Sequence, residues 1–169
     1  RCDAVLRGFD EELRRAYGTE LQKRGITLRT GETVTAIERS ADASHLQLVL
    51  GSGERIASDE VLLATGRRPN TAGLGLADVG VELRRGPSGH GAIVVSPELC
   101  TTVDSIFAIG DCTDRVNLTP VAIAEGRAVA ATLFGGQPTR VDLRHVATAV
   151  FGAPPLASVG LTEEQAREG

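Results

Sequence analysis

Two short runs of consecutive apolar residues, each soon stopped by a glycine, constrain the fold most strongly. Residues 61–64 run into Gly66, and residues 106–109 run into Gly110. A continuous apolar run, in contrast to an alternating one, predicts a strand that is covered on both faces, which is typical of α/β proteins. The sequence therefore predicts an α/β fold. It also predicts a boundary after the first run, where Gly66 and Pro69 interrupt the strand.

The spacing of apolar residues predicts an amphipathic helix near the start of the chain. Between residues 9 and 25, apolar side chains recur every four positions and polar side chains fill the other faces. Asp10 is placed to cap the first turn, and Gly25 can adopt the left-handed conformation that ends a helix.

A second helix is predicted over residues 119–134. We expect Thr119 to be its N-cap and Pro120 its first helical residue. Alanine and glycine are abundant in this segment, so the helix can pack closely on a neighbour. Its N-terminus carries the partial positive charge of aligned peptide dipoles.

Short extended segments and turns complete the prediction. Strands are expected at residues 26–29, 33–38, 46–50, 55–57, 81–83, 93–95, 145–151 and 157–160. The glycines at positions 51 and 53 predict a hairpin. Thr162 and Gln165 form a capping box that begins a third helix, which the sequence continues for only about one and a half turns. Because this helix is cut short and no methionine begins the chain, we expect an internal piece of a longer protein.

Composition disfavours several classes of function. The chain of 169 residues is 41% hydrophobic and 24% charged, which is typical of a folded globular protein. Its net charge of −4 disfavours nucleic-acid binding, which would use the arginines at positions 14, 15, 67, 68, 84 and 85. No apolar run approaches the roughly 20 residues of a membrane span. Cys2, Cys100 and Cys112 lie far apart with no nearby histidine, so we expect unlinked thiols, no metal site and a cytoplasmic location.

Two segments have the character of a cofactor site. Asp111 follows the second apolar run, at the edge where ligands bind in open α/β sheets, and its carboxylate can accept hydrogen bonds from sugar or ribityl hydroxyls. Residues 117–120 lie at the predicted start of the second helix, where backbone N–H groups can stabilise negative charge on a ligand. Because eight residues separate Asp111 from Thr119, one ligand can contact both. An aspartate that only caps a turn is the alternative.

Four segments resemble, in chain order, successive motifs of the flavin-dependent pyridine nucleotide-disulfide oxidoreductases. They are RCDAVLRGFD, LLATGRRPNT, IFAIGDCTDRVNLTPVAIAEGRA and AVFGAPPLASVGLTEEQA. The resemblance covers nearly the whole chain. It implies part of a Rossmann-like NADPH-binding domain at 1–68, the returning segment of an FAD-binding domain at 69–140, and the start of an α+β dimerisation domain at 141–169.

The resemblance implies that several residues contact FAD. These are Gly66, Arg67, Gly110, Asp111, Leu118 and Thr119. Asp111 matches the aspartate that binds the ribityl and phosphate region. Thr119 matches the helix start facing the flavin ring, where the helix dipole stabilises the anionic reduced flavin. Arg67 matches the point where the chain passes near the nicotinamide and the flavin.

The same resemblance implies that Arg1 and Arg7 bind the 2′-phosphate of NADPH. A guanidinium offers phosphate a planar fork of donors, whereas a site specific for NAD prefers an acid at the free 2′-hydroxyl. NADPH is therefore the expected coenzyme. Cys2 stands where some relatives have histidine or lysine.

The implied activity is electron transfer from NADPH through FAD to a disulfide. Members that reduce glutathione disulfide, and that form homodimers, are the most similar. Dihydrolipoamide dehydrogenases, mercuric and trypanothione reductases, and a nucleotide-binding module without a disulfide centre are the alternatives. No catalytic residue is assigned within the chain, because the family's cysteine pair and its histidine followed by proline do not occur in it. His45, His90 and His145 are expected to be structural or exposed.

Overall fold

The computed structural model describes residues 3–84 and 91–168. The chain divides into two compact units: the first unit comprises Arg1–Ala64 with Ala147–Gly169, and the second comprises Thr65–Val146. Helices and strands are mixed, as the sequence predicts. In chain order the elements are α1 (Glu11–Lys23), β1 (Val34–Arg39), β2 (Leu46–Leu50), β3 (Arg55–Ser58), β4 (Leu83–Arg84), β5 (Ala92–Ile93), a 3-10 turn (Gly110–Thr113), α2 (Thr119–Phe134), β6 (Thr148–Val150), β7 (Leu156–Ser158) and α3 (Glu163–Glu168).

The first helix begins and ends where its caps predict. The Asp10 side chain accepts a hydrogen bond from the Glu12 N–H, at 3.0 Å. At the other end Gly25 has a φ of 83°, and its N–H donates to the Gln22 carbonyl at 2.9 Å. Tyr17 is the buried residue of this helix.

Strands β1, β2 and β3 form an antiparallel sheet in that order. The predicted hairpin joins β2 to β3, with Leu46 opposite Ser58 and Leu48 opposite Ile56. Gly53 has a φ of 87° in the connecting turn, a conformation that glycine adopts readily. The predicted hairpin is confirmed.

Two predicted strands of the first unit do not form. Residues 26–29 and 61–64 have no strand structure, and Leu62 is 89% exposed. The prediction of a strand at 61–64 covered on both faces is therefore wrong for this chain. A strand needs a neighbour for its N–H and C=O groups, and no part of residues 3–84 or 91–168 pairs with this segment.

The second unit has a small core beneath a two-stranded ladder. Leu83 pairs with Ile93 and Arg84 with Ala92, within one or two residues of the predicted positions. Val81, Ile93 and Ala108 form the buried cluster.

The second apolar run is strand-like over a shorter length than predicted. Its ladder contact is the isolated bridge between Phe107 and Cys100. Ala108 is buried, but Ile109 is exposed. The prediction of a buried strand over 106–109 is therefore only partly correct, because the run forms a single bridge and its last residue is exposed.

Helix α2 covers the predicted residues but has a different cap. Leu118 is the N-cap, with extended φ and ψ of −133° and 135°, and its carbonyl accepts from the N–H groups of Val121 and Ala122. Thr119 already belongs to the helix, so the prediction of Thr119 as N-cap is wrong by one residue. Pro120 still lies in the first turn, where its missing N–H leaves no intrahelical bond unmade.

The end of the chain is an antiparallel hairpin, β6 and β7, followed by α3. The predicted capping box is confirmed: the Thr162 N–H donates to Gln165 Oε1 at 3.0 Å, and the Gln165 N–H donates to Thr162 Oγ1 at 3.2 Å. The Glu163 N–H also donates to Asp10 Oδ2, at 3.0 Å. Asp10 therefore caps α1 and α3 together. None of the helices described is both long and apolar enough to cross a membrane.

Candidate functional site

The turn that carries Asp111 packs directly against α2. This Asp111 turn, Gly110–Thr113, begins with Gly110 at a φ of 67°. A Cβ atom on Gly110 would lie 3.1 Å from the Ala122 Cβ, and one on Gly126 would lie 3.4 Å from Ile109 Cδ1. Small residues thus permit the close approach that the composition of α2 predicts. The Asp111 turn therefore lies against the first half of α2.

Both backbone groups of Gly110 are held by side chains. Its N–H donates to Glu125 Oε2 at 2.6 Å, and its carbonyl accepts from Thr113 Oγ1 at 2.8 Å. Because Asp111 is the next residue, these two bonds fix the peptide from which its carboxylate projects.

The Asp111 carboxylate forms an ion pair with Arg67. The distance from Arg67 Nη2 to Asp111 Oδ2 is 2.9 Å, and the two side chains are 75% and 44% exposed. Such exposed pairs contribute about 0–1 kcal/mol, so hydroxyl or amide donors of a polar ligand can replace the arginine. The fold therefore brings together two predicted site residues that lie 44 positions apart. Gly66, before Arg67, has a φ of 113°.

At the start of α2, one of the backbone N–H groups expected to face a ligand is already hydrogen-bonded. The Leu118 N–H donates to the Val116 carbonyl at 2.9 Å, so this donor is used within the loop. Thr119 is exposed in the first turn of α2. Contact of these two residues with a flavin stays a prediction.

Sequence reasoning missed three charged residues that support the Asp111 turn. Glu125 is 1% exposed, and Arg115 Nη1 lies 3.5 Å from its Oε1. Arg84 Nη2 lies 3.3 Å from each of two carbonyl oxygens, those of Thr113 and Asp114. The helical period gives a signal for Glu125, because positions 121, 125 and 128 share one face and the other two are apolar.

Arg7 lies at the tip of a tight turn in the first unit. The Phe9 N–H donates to the Leu6 carbonyl at 3.2 Å, and both neighbours of Arg7 have positive φ, 55° at Leu6 and 88° at Gly8. A positive φ is costly for leucine, and such strain is characteristic of ligand-binding segments. The Arg7 side chain is exposed. Arg1, its predicted companion, lies outside the described residues.

Arg14 of α1 forms hydrogen bonds to the backbone of the segment that precedes Arg7. Its Nε donates to the Val5 carbonyl at 2.8 Å, and its Nη2 lies 3.3 Å from the Ala4 carbonyl and 3.4 Å from Asp3 Oδ1. The Arg14 side chain is 17% exposed, so it belongs to the packed structure. Its guanidinium holds two consecutive carbonyls.

The structure describes two cysteines and two histidines, of which Cys112 belongs to the Asp111 turn. Cys100 and Cys112 are free thiols, which confirms that they are unlinked. Burial raises the pKa of the Cys112 thiol, which donates to the Ile109 carbonyl at 3.1 Å. His45 is half-buried beside the Ser44 hydroxyl, and His145 is exposed. Cys2 and His90 lie outside the described residues.

Comparison with known proteins gives the family. The chain belongs to the pyridine nucleotide-disulphide oxidoreductases, whose family model matches residues 1–126. The family predicted from the four motifs is therefore confirmed.

Among curated proteins the chain is similar to two groups of reductases. It is 49% identical over 168 residues to the glutathione reductase of Burkholderia cepacia, covering 99% of this chain and 36% of that protein. It is equally identical to the chloroplastic/mitochondrial glutathione reductase of Pisum sativum, covering 99% and 30%. The trypanothione reductase of Trypanosoma congolense is 43% identical over 166 residues, covering 98% and 33%. The chain thus spans about a third of the length of these relatives.

Solved structures agree with this relationship. The HOCl-induced flavoprotein disulfide reductase RclA from Escherichia coli superposes with a TM-score of 0.87 at 32% identity, covering 98% of this chain and 37% of that one. LpdA from Mycobacterium tuberculosis gives a TM-score of 0.87 at 29% identity, covering 99% and 35%.

Proposed function

We propose that this chain is part of an FAD-dependent enzyme that passes electrons from NADPH to glutathione disulfide. The observation that carries the proposal is the Asp111 turn packed on α2, in a member of a disulfide oxidoreductase family. The two relatives at 49% identity are glutathione reductases.

The residues around Asp111 fit a flavin dinucleotide. Gly110 has no side chain to meet Ala122, so the Asp111 turn can lie directly against α2. The partly exposed Asp111 carboxylate can accept hydrogen bonds from ribityl hydroxyls once Arg67 turns away. A bound flavin would supply the acceptance of a hydride and the delivery of electrons to a disulfide. The chain's own part is to hold Asp111 and the start of α2 towards that ligand.

The first unit fits the phosphate end of NADPH. The exposed guanidinium of Arg7 projects from a strained turn whose base is tied down by Arg14. A planar donor fork matches the geometry of a phosphate group. We propose Arg7 and Arg1 as the ligands of the 2′-phosphate.

The proposal extends to the domain organisation, the oligomeric state and the location of the protein. We propose a Rossmann-like NADPH domain at 1–68, an FAD-domain segment at 69–140 and the start of a dimerisation domain at 141–169. Exposed apolar side chains at Phe151, Val159 and Leu161 fit a homodimer interface. Free thiols at Cys100 and Cys112 fit a cytoplasmic location.

The substrate is tested with the full-length protein that contains this chain. We expect NADPH oxidation when glutathione disulfide is added, and much slower oxidation with trypanothione disulfide or with lipoamide. Faster oxidation with trypanothione disulfide would indicate instead the activity named for the trypanothione reductases among the relatives. Absence of NADPH oxidation with every disulfide would refute the proposed activity.

The coenzyme assignment is tested by Arg7→Ala. We expect weaker NADPH binding by about 1.5–3 kcal/mol, the range for a hydrogen bond to a charged group, and little change in NADH binding. Arg24→Ala removes another exposed arginine of the same unit and serves as the control. Equal losses for both coenzymes would overturn the role of Arg7.

A further inference from the structure

Glu125 is an acid on the buried face of a helix that otherwise consists mainly of small and apolar residues. It is the single acid of α2, it shares the buried face with Val121 and Ala128, and it is 1% exposed. Burial of a carboxyl group costs free energy that an apolar side chain of similar volume would not cost. Because Glu125 is buried in spite of this desolvation cost, we expect its carboxyl group to have a specific structural or functional role.

The two carboxylate oxygens of Glu125 have different neighbours. Its Oε2 accepts the Gly110 N–H at 2.6 Å, a short bond of the kind that carboxylates form. Its Oε1 lies 3.5 Å from Arg115 Nη1 and has no hydrogen-bond partner among the residues that the structure describes. One oxygen thus fixes the backbone of the Asp111 turn, and the other faces the guanidinium that offsets its charge.

We propose that Glu125 is a positioning residue of the flavin site, an inference that rests on the proposed function. Through the Gly110 N–H, Glu125 holds the left-handed backbone from which the Asp111 carboxylate projects. Thr113 holds the carbonyl of the same glycine. Without the Glu125 acceptor the Gly110 N–H is left buried and unpaired, and the turn relaxes towards conformations that aim Asp111 elsewhere.

Three substitutions separate the acceptor from the rest of the side chain. Glu125→Leu keeps roughly the same volume and removes the acceptor. Glu125→Gln keeps an acceptor oxygen and removes the charge. Glu125→Asp keeps the charge and withdraws the acceptor by about 1.5 Å, beyond hydrogen-bond range of the Gly110 N–H.

FAD retention by the full-length holoprotein is the measurement, read from the fluorescence of flavin released on dilution. We expect Glu125→Leu and Glu125→Asp to raise the FAD dissociation constant at least about tenfold. Glu125→Gln should stay within about threefold of the parent. In the flavin-free proteins, Glu125→Leu and Glu125→Asp should also unfold at a lower temperature than the parent, because the Gly110 N–H loses its acceptor, whereas Glu125→Gln should unfold at about the temperature of the parent.

Other results would overturn either the proposed function or the positioning role of Glu125. If the parent protein binds no FAD, the proposed function fails and this inference with it. If the parent binds FAD and Glu125→Asp binds it equally well, the positioning role is overturned while the proposed function stands. If Glu125→Gln loses FAD as fully as Glu125→Leu, the acceptor role is likewise overturned. Glu125→Asp and Glu125→Gln decide the matter even where Glu125→Leu does not fold.

Discussion

Replacing Gly110 with alanine tests the close approach between the Asp111 turn and α2. Two costs add at this position. The φ of 67° places an alanine in the left-handed region, at about 1–2 kcal/mol. The new Cβ would also lie 3.1 Å from the Ala122 Cβ, and such overpacking costs about 1–3 kcal/mol. We therefore expect Gly110→Ala to lower the free energy of unfolding by about 2–5 kcal/mol.

Gly136 provides the matched control. Its φ is 64°, close to that of Gly110, and a Cβ atom there would meet nothing within 4 Å. Gly136→Ala should therefore cost only the conformational part, about 1–2 kcal/mol. The difference between the two variants isolates the contact with Ala122.

The assay is urea unfolding of the full-length protein, with FAD retention measured on the same samples. Gly110→Ala should show the larger loss of stability and also a loss of FAD, whereas Gly136→Ala should keep FAD. Equal losses of stability in the two variants would show that the turn does not press on α2, and the site geometry described above would be refuted.

Three further predictions concern Asp10, Arg14 and Cys112. Backbone hydrogen bonds from Glu163 and Glu12 lower the pKa of Asp10, so its stabilising effect is present above the pKa of an unfolded aspartate and should be lost as the pH falls through the lowered pKa. On acidification, Asp10→Asn should lose less of its helical far-UV circular dichroism signal than the parent protein. Identical acid titration curves for the two proteins would contradict this. Arg14→Leu should weaken NADPH binding about 2- to 10-fold by releasing the carbonyls before Arg7; unchanged affinity would contradict it. Cys112, with its raised pKa, should react slowly with iodoacetamide at pH 7 by mass spectrometry; the rate of an unfolded peptide would contradict this.

Features set by neighbouring residues could be predicted from the sequence. The Asp10 cap, the β2–β3 hairpin and the capping box at Thr162 depend on contacts within a few positions, and the structure has all three. The start of α2 is a small exception. Thr119 is a good capping residue, but the extended conformation at Leu118 moves the boundary back by one position.

Features that depend on distant partners were harder to predict. The run at 61–64 carries the pattern of a buried strand, but a strand requires a partner that the pattern does not specify, and Leu62 is exposed. The ion pair between Arg67 and Asp111 joins residues that only the fold brings together. Glu125 had a helical signal, yet its bond to Gly110 could not be foreseen from spacing.

In the site that we propose, Asp111 binds a flavin held against α2. FAD content of the purified full-length protein, measured for Asp111→Ala beside the parent, tests it most directly. Asp104→Ala, which removes another exposed acid of the second unit, is the control. We expect the parent and Asp104→Ala to carry one FAD per chain and Asp111→Ala to lose most of it. Full FAD content in Asp111→Ala, or no FAD in the parent, would contradict the account.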